Sequence, residues 1–353
     1  MLYHLLYQYF DVNLFKYITF RGFLALLTAF FLSLIIYPYI IKKLRAIQRL
    51  KGGYKRDFLD NHVSKRYTPS MGGVLIGITV VVSSLLWCRF DNFFIWVLLF
   101  VLVSFGTLGF IDDWKKLNKK AGISARVKFL FQIIFASVAS LALYVYPKFN
   151  SILYFPFFKN LYFDLGIFYF FFMIFIIVAS SNAVNLTDGL DGLAIGPALI
   201  SISAFSIFAY IAGNAVLSSY LFLPFIEGSG EVAVFLMALL GAGLGFLWFN
   251  SFPADIFMGD SGSLSIGAVL GTVAIITKQE IVLAIVGGIF VVETLSVIIQ
   301  VFYYKLTGKR IFLMAPIHHH FEKLGIPENK IVVRIWIISI ILAIIALSTL
   351  KIR

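Results

Sequence analysis

The chain has 353 residues, of which 61% are hydrophobic and 13% are charged, and its mean hydropathy is +0.96. A soluble protein of this length could not bury so much apolar surface, so the composition excludes a soluble globular fold. The formal net charge of +12 is explained by basic loops that fix membrane orientation, and no recognisable nucleic-acid-binding module accompanies it. We therefore expect a lipid bilayer, and no nucleic acid, around this chain.

Ten apolar runs are long enough to cross about 30 Å of hydrocarbon as helices. Their approximate bounds are 22–41, 71–88, 92–111, 128–147, 167–187, 193–213, 232–251, 262–277, 281–304 and 331–350. Polar and apolar residues do not alternate along them as in a membrane barrel, so we predict an all-α polytopic membrane protein with about ten transmembrane helices. No polar loop is long enough to fold alone, which predicts a single integral-membrane catalytic domain over residues 1–353.

Lysine and arginine are concentrated in three loops. Residues 42–66 carry nine of them, residues 112–128 carry six and residues 305–330 carry five. Because basic loops remain on the cytoplasmic side, we expect these three loops in the cytoplasm and both termini in the periplasm. The first apolar run is followed by basic residues and not by a small-residue cleavage site, so we expect it to be retained as a span. The unusual polar motifs then share the cytoplasmic face.

Five aspartates stand at the ends of apolar runs: Asp112, Asp113, Asp188, Asp191 and Asp260. A charge inside hydrocarbon costs at least about 2.5–3.5 kcal/mol, so a membrane protein rarely places acids near its spans without a use. If the spans alternate in direction, these acids reach one face and predict one site for a metal ion and phosphates. The adjacent pair can hold Mg²⁺, accept a proton or act as a nucleophile; the alternative is a solvated helix end beside lysines.

Residues 185–192 read NLTDGLDG. Asp188 and Asp191 are three residues apart and share a face if this turn is helical. The glycines allow close backbone approach, and Asn185 adds an amide that can hydrogen-bond. Such a cluster suits a nucleoside, a sugar or a metal shell, and a turn without any ligand is the alternative.

Residues 257–263 read FMGDSGS and open the eighth apolar run. Backbone N–H groups at a helix start attract anions, but Asp260 would repel a phosphate there unless a cation lies between them. That conflict favours Asp260 as a metal ligand, with a simple helix cap as the alternative. Phe257 could stack on a base, although ordinary packing also explains a phenylalanine here.

Residues 65–73 read KRYTPSMGG and open the second run. Lys65 and the hydroxyl groups, among them that of Ser70, could bind a pyrophosphate at the helix start. A capped helix preceded by orienting basic residues explains the same string. The sequence has no GxxxxGK[ST] motif and no GxGxxG motif after a strand, so neither an ATP motor nor a dinucleotide fold is indicated.

Three adjacent histidines, His318, His319 and His320, lie in the last cytoplasmic loop. They could supply a proton donor, phosphate contacts or one zinc ligand, but no cysteines or spaced acids complete a zinc set. The alternative is a polar loop beneath the bilayer.

Taken together, these motifs resemble the bacterial phospho-N-acetylmuramoyl-pentapeptide transferase family, a branch of the polyprenyl-phosphate N-acetylhexosamine-1-phosphate transferases. The resemblance runs from about Lys65 to Lys351. It rests on the strings TPSMGG, DDWKK, GISARVKF, NLTDGLDGLA, GLGFLWFN, GDSGSL, FVVETLSVIIQ, KLTGKRIF and MAPIHHHFE. The last string separates this branch from relatives that act on other nucleotide sugars. Tyr67, Ser70 and Trp114 depart from the usual pattern without removing a charged group.

The resemblance implies Mg²⁺-dependent transfer of phospho-MurNAc-pentapeptide from UDP-MurNAc-pentapeptide to undecaprenyl phosphate. The products would be lipid I and UMP, in the first membrane step of peptidoglycan synthesis at the bacterial inner membrane. It implies a metal site at Asp260 with Asp112 and Asp113 close by, and a catalytic histidine at His319. The uridine diphosphate part would be held by residues at five positions: Lys65, Asn185, Asp188, Asp191 and Phe257. Phosphates or the incoming substrate would meet Lys116, Lys128 and the histidines that flank His319.

Several alternatives remain open from the sequence. A transporter would also carry intramembrane acids and helices interrupted by glycine, but it would place its acids near mid-bilayer. A related transferase could use another UDP-N-acetylhexosamine, such as UDP-GlcNAc. Transfer could proceed by direct attack of the lipid phosphate or through a phospho-aspartate, for which Asp112 is the candidate. The sequence leaves open a homodimer and the role of Glu293, which lies inside the ninth run.

Overall fold

A computed structural model describes residues 1–50, 68–119, 121–147, 149–158 and 161–352. Within these ranges the chain is helical apart from loops and one short hairpin. The helices are α1 (Ile18–Leu50), α2 (Gly73–Trp87), α3 (Phe93–Lys119), α4 (Ala125–Tyr144), α5 (Phe168–Thr187), α6 (Ile195–Ala212), α7 (Ala215–Tyr220), α8 (Ser229–Asn250), α9 (Asp260–Ile276), α10 (Glu280–Val286), α11 (Gly288–Thr307), α12 (Ile317–Lys323) and α13 (Glu328–Ile352). A π-helix (Tyr3–Tyr9) and a 3₁₀ turn (Asn13–Lys16) precede them.

The predicted helical membrane fold is confirmed in outline. Among the described residues, eight helices are long and apolar enough to cross a membrane, and α2 and α9 are shorter apolar helices of 15 and 17 residues. Each of these ten helices overlaps one predicted run. The prediction of one continuous ninth helix over 281–304 was wrong, because the chain breaks into α10 and α11 at Gly287. Two consecutive glycines, Gly287 and Gly288, have poor helix propensity and account for the break.

Helix α9 lies at the centre of the bundle. It contacts α2, α3, α5, α6 and α10, and its residues from Ser261 to Ile276 are all buried. Helices α1 and α6 pack against α8, and α13 packs against α6 and α10. By contrast, α11 and α13 expose rows of apolar side chains such as Ile298, Phe302, Ile341 and Ile344. A core of buried helices inside an apolar outer face is the arrangement expected in lipid.

Glycine allows α9 to approach its neighbours at its N-terminal end. A Cβ atom on Gly109 of α3 would lie 2.2 Å from the carbonyl oxygen of Asp260, and one on Gly73 of α2 would lie 2.0 Å from the amide nitrogen of Gly262. No side chain fits at such distances. These contacts bring α2 and α3 directly onto the first turn of α9.

The opposite end of the bundle is held by buried polar groups. Arg21 of α1 donates two hydrogen bonds to the carboxylate of Glu231 in α8 and a third, of 3.0 Å, to the carbonyl of Trp87. Between α4 and α5, β1 (Ile152–Tyr154) and β2 (Tyr162–Asp164) form an antiparallel hairpin. Breaking a buried ion pair by removing one partner typically costs about 3–5 kcal/mol, so Arg21 and Glu231 firmly join α1 to α8.

A buried lysine lies in the loop between α9 and α10. The ammonium group of Lys278 donates to the hydroxyl of Tyr169 at 3.0 Å and to the carbonyl of Asn150. Burial lowers the pKa of Lys278 to about 8. This contact joins the α9–α10 loop to α5 and to the segment that leads into the hairpin.

Replacing Gly109 tests the close approach of α3 and α9. We expect Gly109→Ala to lower the thermal midpoint of the purified protein and its folded yield, because the new methyl group meets the Asp260 backbone. The matched control is Gly77→Ala in α2, where nothing lies within 4 Å of the added Cβ. That variant should be neutral or slightly more stable, since alanine favours a helix over glycine. Equal thermal midpoints for both variants would contradict this packing.

Candidate active site

Two lysine ammonium groups join the acids of α3 to the first residue of α9. The Nζ atom of Lys116 lies 2.8 Å from Oδ2 of Asp112, 3.9 Å from Oδ1 of Asp113 and 2.8 Å from Oδ2 of Asp260. Lys128, from α4, also donates to Oδ2 of Asp260 and lies 3.5 Å from Asp112. Three carboxylates and two ammonium groups thus form one partly buried cluster. Opposite charges at these distances offset the cost of removing each group from water.

Both carboxylate oxygens of Asp112 have hydrogen-bond or ion-pair partners. Its Oδ1 atom accepts the backbone N–H of Ile123 at 2.5 Å, and its Oδ2 atom faces the ammonium groups of Lys116 and Lys128. The side chain is buried, and a Cβ on Gly122 would lie 2.3 Å from it. Asp112 therefore fixes the α3–α4 loop and orients two lysines.

Asp113 and Asp260 face a common cavity of about 120 Å³. Asp113 turns towards the start of α9, where its Oδ2 atom accepts the backbone N–H of Ser261 at 3.3 Å. Gly259 has a positive φ of +74°, and a Cβ there would lie 2.4 Å from Asp113. The cavity is lined by side chains from four segments of the chain: Ser70, Asp113, Lys116, Asn185, Asp188, Phe257, Gly259 and Asp260.

Asn185 joins α5 to the same corner of the site. Its amide donates to Oδ1 of Asp260 at 2.9 Å and to Oγ of Ser263 at 2.8 Å. One turn earlier, Asn182 donates to Oε1 of Gln132 at 2.8 Å. Because Gln132 follows Lys128 by one turn of α4, this amide pair places Lys128 and Asn185 on either side of Asp260.

Asp188 and Asp191 do not share a face. Helix α5 ends at Thr187 and the following turn is not helical, so the two side chains diverge. Asp188 lines the cavity. Asp191 accepts the backbone N–H of Ala254 at 3.0 Å, and its own N–H donates to Glu328 at 2.8 Å. Asp191 therefore lies behind the cavity, where it links the 251–256 loop to the start of α13.

Ser70 and Phe257 are brought to the cavity by backbone pairing. The N–H of Phe257 donates to the carbonyl of Pro69 at 2.7 Å, and the N–H of Gly72 donates to the carbonyl of Phe257 at 2.8 Å. Phe257 is buried and is one of the residues that line the cavity. Lys65, the other residue predicted in this motif, lies outside the described residues.

The three histidines occupy different environments on α12. His318 is buried, with Nδ1 3.0 Å from Oε2 of Glu293. His319 is half-buried, with Nδ1 2.6 Å from Oε2 of Glu322. Nδ1 of His320 accepts the backbone N–H of Leu313 at 3.2 Å. The cavity lining includes none of the three, although His318 packs against Gly189, next to Asp188.

Sequence reasoning missed the Gln132–Asn182 pair and left Glu293 without a role. A signal for Glu293 was present, because an acid within an apolar run requires a buried partner. No comparable signal marks Gln132 or Asn182, since single amides near helix ends are common.

The cavity offers the donor set of a hard divalent cation. Its ionisable lining is oxygen-rich, with carboxylates at Asp113, Asp188 and Asp260 and one ammonium group at Lys116. Across the described part of the chain, no three His, Cys, Asp or Glu side chains come together closely enough to hold a metal ion by themselves. An open set of carboxylates fits an ion that also takes oxygens from a substrate phosphate.

Sequence comparison identifies the family of this chain. The profile of the family described as Glycosyl transferase family 4 matches residues 95–278. A phospho-N-acetylmuramoyl-pentapeptide-transferase of Aquifex aeolicus (strain VF5) is 56% identical over 347 residues, which cover 98% of this chain and 97% of the relative. Relatives of the same name from Geobacter sp. (strain M21) and Hydrogenobaculum sp. (strain Y04AAS1) are each 54% identical, covering 100% and 97% of this chain and 100% and 96% of their own lengths.

These matches extend over nearly the whole chain, and they include the strings on which the predicted resemblance rests. The chain belongs to the phospho-N-acetylmuramoyl-pentapeptide transferase family, within glycosyl transferase family 4.

Proposed function

We propose that this chain transfers phospho-MurNAc-pentapeptide from UDP-MurNAc-pentapeptide to undecaprenyl phosphate, forming lipid I and releasing UMP. The observation that carries the proposal is the convergence of Asp113, Asp188, Asp260 and Lys116 on one cavity at the ends of apolar helices. A site at this place can receive a water-soluble nucleotide sugar and a lipid phosphate together. The names of the relatives support the choice of donor.

The proposal includes an orientation in the bacterial inner membrane. Ten spans would place both termini in the periplasm and the cavity at the cytoplasmic face, in a single catalytic domain. The basic loops over 42–66, 112–128 and 305–330 support this orientation. Lys116, from the basic stretch over 112–128, lines the cavity, and Lys128 from the same stretch pairs with Asp260, which supports placing the cavity on the side of the basic loops.

We assign Mg²⁺ to the carboxylates of Asp260 and Asp113, with Asp188 beside them. With all groups ionised, four acids, Asp112 included, and two ammonium groups leave the site with a formal charge of −2. When bound, the ion supplies Lewis-acid polarisation of phosphate oxygens and offsets their charge. Asn185 holds one oxygen of Asp260 in place throughout.

The residues of the chain then serve the reaction by charge and position. Both substrates are anionic, so the ammonium groups of Lys116 and Lys128 reduce their repulsion and stabilise the charge spread over the transferring phosphoryl group. An oxygen of the lipid phosphate bonds to the sugar-linked phosphorus, and the bond from that phosphorus to UMP breaks. UMP leaves with the bonding electrons. In this scheme Asp188 and Phe257 contact the uridine diphosphate part, and His319 approaches the phosphates from α12.

Direct attack is favoured over a phospho-aspartate because of the surroundings of Asp112. Its oxygens are engaged by Ile123, Lys116 and Lys128, and its side chain does not line the cavity. A nucleophile must reach the reacting phosphorus with a free lone pair.

The donor and acceptor can be tested directly with purified protein, Mg²⁺, undecaprenyl phosphate and each nucleotide sugar. We expect UDP-MurNAc-pentapeptide to yield UMP and a lipid-linked product, with no UMP when the lipid is omitted. UDP-GlcNAc serves as the matched donor control and should be inactive. Activity with UDP-GlcNAc alone would contradict the muramoyl assignment. Movement of the donor into vesicles without any covalent product would favour a transporter.

Asp260→Asn tests the proposed metal ligand. The amide keeps the shape of the side chain but removes the charge, so we expect turnover to fall by about 10³-fold, at the upper end of losses seen for electrostatic groups. The protein should still fold, with a lower thermal midpoint, because the amide weakens the ion pairs of Lys116 and Lys128 with this side chain. Asp255→Asn is the matched control, because Asp255 is exposed and its described ion pair, with Arg45, is an exposed contact of 3.3 Å. Near-normal turnover in a folded Asp260→Asn protein would remove Asp260 from the site.

A trapping experiment separates the two chemical routes. We expect no labelled protein when donor carrying ³²P in its sugar-linked phosphate is mixed with enzyme and Mg²⁺ without the lipid. Asp112→Asn should still slow turnover, because it releases Lys116 and Lys128 from their positions. Label that is trapped on the parent protein, survives in Asp113→Asn and disappears in Asp112→Asn would establish the phospho-aspartate route instead.

A further inference from the structure

Glu293 is a buried acid inside the membrane-length helix α11 that the proposed reaction does not use. Its side chain is about 1% exposed. Its Oε2 atom lies 3.0 Å from Nδ1 of His318 and 3.5 Å from the backbone nitrogen of His318. A charge within an apolar helix is costly and is usually retained for a specific contact. The contact here connects α11 to the helix that carries the three histidines.

His318 transmits that contact to the turn that carries Asp188. Its ring is fully buried, and a Cβ added to Gly189 would lie 2.2 Å from Nε2. His318 therefore packs directly on the backbone next to Asp188, where only glycine leaves room. Its ring centroid also lies 4.2 Å from that of His319. The His318 ring thus touches both the Asp188 turn and the histidine that is exposed enough to meet a substrate.

Glu293 and His318 are joined by one specific side-chain hydrogen bond, which does not satisfy all of their polar atoms. Nδ1–H of His318 donates to Glu293, which leaves Nε2 as an acceptor facing Gly189. Among the described residues, neither Nε2 of His318 nor Oε1 of Glu293 has a hydrogen-bond partner. A buried polar atom without a partner costs about 1–3 kcal/mol, so an apolar pair would serve stability at least as well. The contact therefore serves to orient the His318 ring and not to stabilise the fold.

We propose that Glu293 is a positioning residue, which acts through His318 to hold α12 against the Asp188 turn and so to direct His319 towards the cavity. This inference rests on the proposed function, because it assigns Glu293 a part in phosphoryl transfer. It also gives His318 a role behind the site, in place of the direct substrate contact predicted from its sequence motif. Neither Glu293 nor His318 then touches the substrate.

Substitutions at Glu293 separate orientation from folding. We expect Glu293→Leu to lower kcat by about 100-fold, as a displacement of about 1 Å in an active site can do, with KM for the donor changed less. The thermal midpoint should fall only slightly, because leucine leaves the Nδ1–H of His318 without its acceptor but also removes the unpaired Oε1 of Glu293 from a buried place. Glu293→Gln should recover most of kcat, because its amide oxygen can still accept the Nδ1–H of His318. Leu295→Ala, at a side chain 47% exposed on the outer face of the same helix, is the control and should keep the parental kcat.

A chemical readout keeps the inference testable if the proposed reaction fails. Diethyl pyrocarbonate modification, followed by mass spectrometry, reports the access of reagent to each histidine. We expect His318 to react at least about tenfold faster in Glu293→Leu than in the parent protein or in Glu293→Gln, because burial of its ring depends on the carboxylate. An inactive parent protein in which His318 still shows this change would overturn the proposed function and support the positioning of His318. Unchanged protection of His318, parental kcat in Glu293→Leu, or a loss of kcat matched by a loss of thermal stability would overturn the inference.

Discussion

The arrangement of the site depends on the charge balance around Oδ2 of Asp260. Lys116 from α3 and Lys128 from α4 both donate to that one oxygen, while Asn185 from α5 donates to the other. Acids at the ends of buried apolar helices would repel one another without these cations. These contacts offset the repulsion between the acids, and they also hold the ends of α3, α4, α5 and α9 together. The charge balance of the site and the packing of the bundle therefore depend on each other.

Backbone packing makes this convergence possible, and the acids alone do not explain it. Gly109 lets the carbonyl of Asp260 approach α3, and Gly259 takes a positive φ beside Asp113. With larger side chains the start of α9 would be pushed away from α3, and Lys116 could not bridge Asp112 and Asp260. Helix α9 packs against α2, α3, α5, α6 and α10, so the position of its first residue also depends on packing outside the cavity.

Much of this could be predicted from sequence, because hydropathy and charge act locally along the chain. The apolar runs located ten helices, and the positions of Asp113, Asp188 and Asp260 at run ends predicted their meeting. The direction of a side chain after a helix ends was not predictable: Asp191, three residues from Asp188, turns to Ala254 and Glu328 because the intervening turn is not helical. The break at Gly287 and the partner of Glu293 likewise depend on tertiary packing, which periodicity does not encode.

We propose that Asp260 and Asp113 hold a divalent cation at the cavity they share with Lys116. Anomalous diffraction from crystals grown with Mn²⁺ and UMP measures this directly. We expect a single strong anomalous peak within about 2.0–2.3 Å of a carboxylate oxygen of Asp260, close to Asp113 and to the nucleotide phosphate. A peak elsewhere in the molecule, with UMP bound and the Asp260 carboxylate still engaged only by Lys116, Lys128 and Asn185, would contradict it.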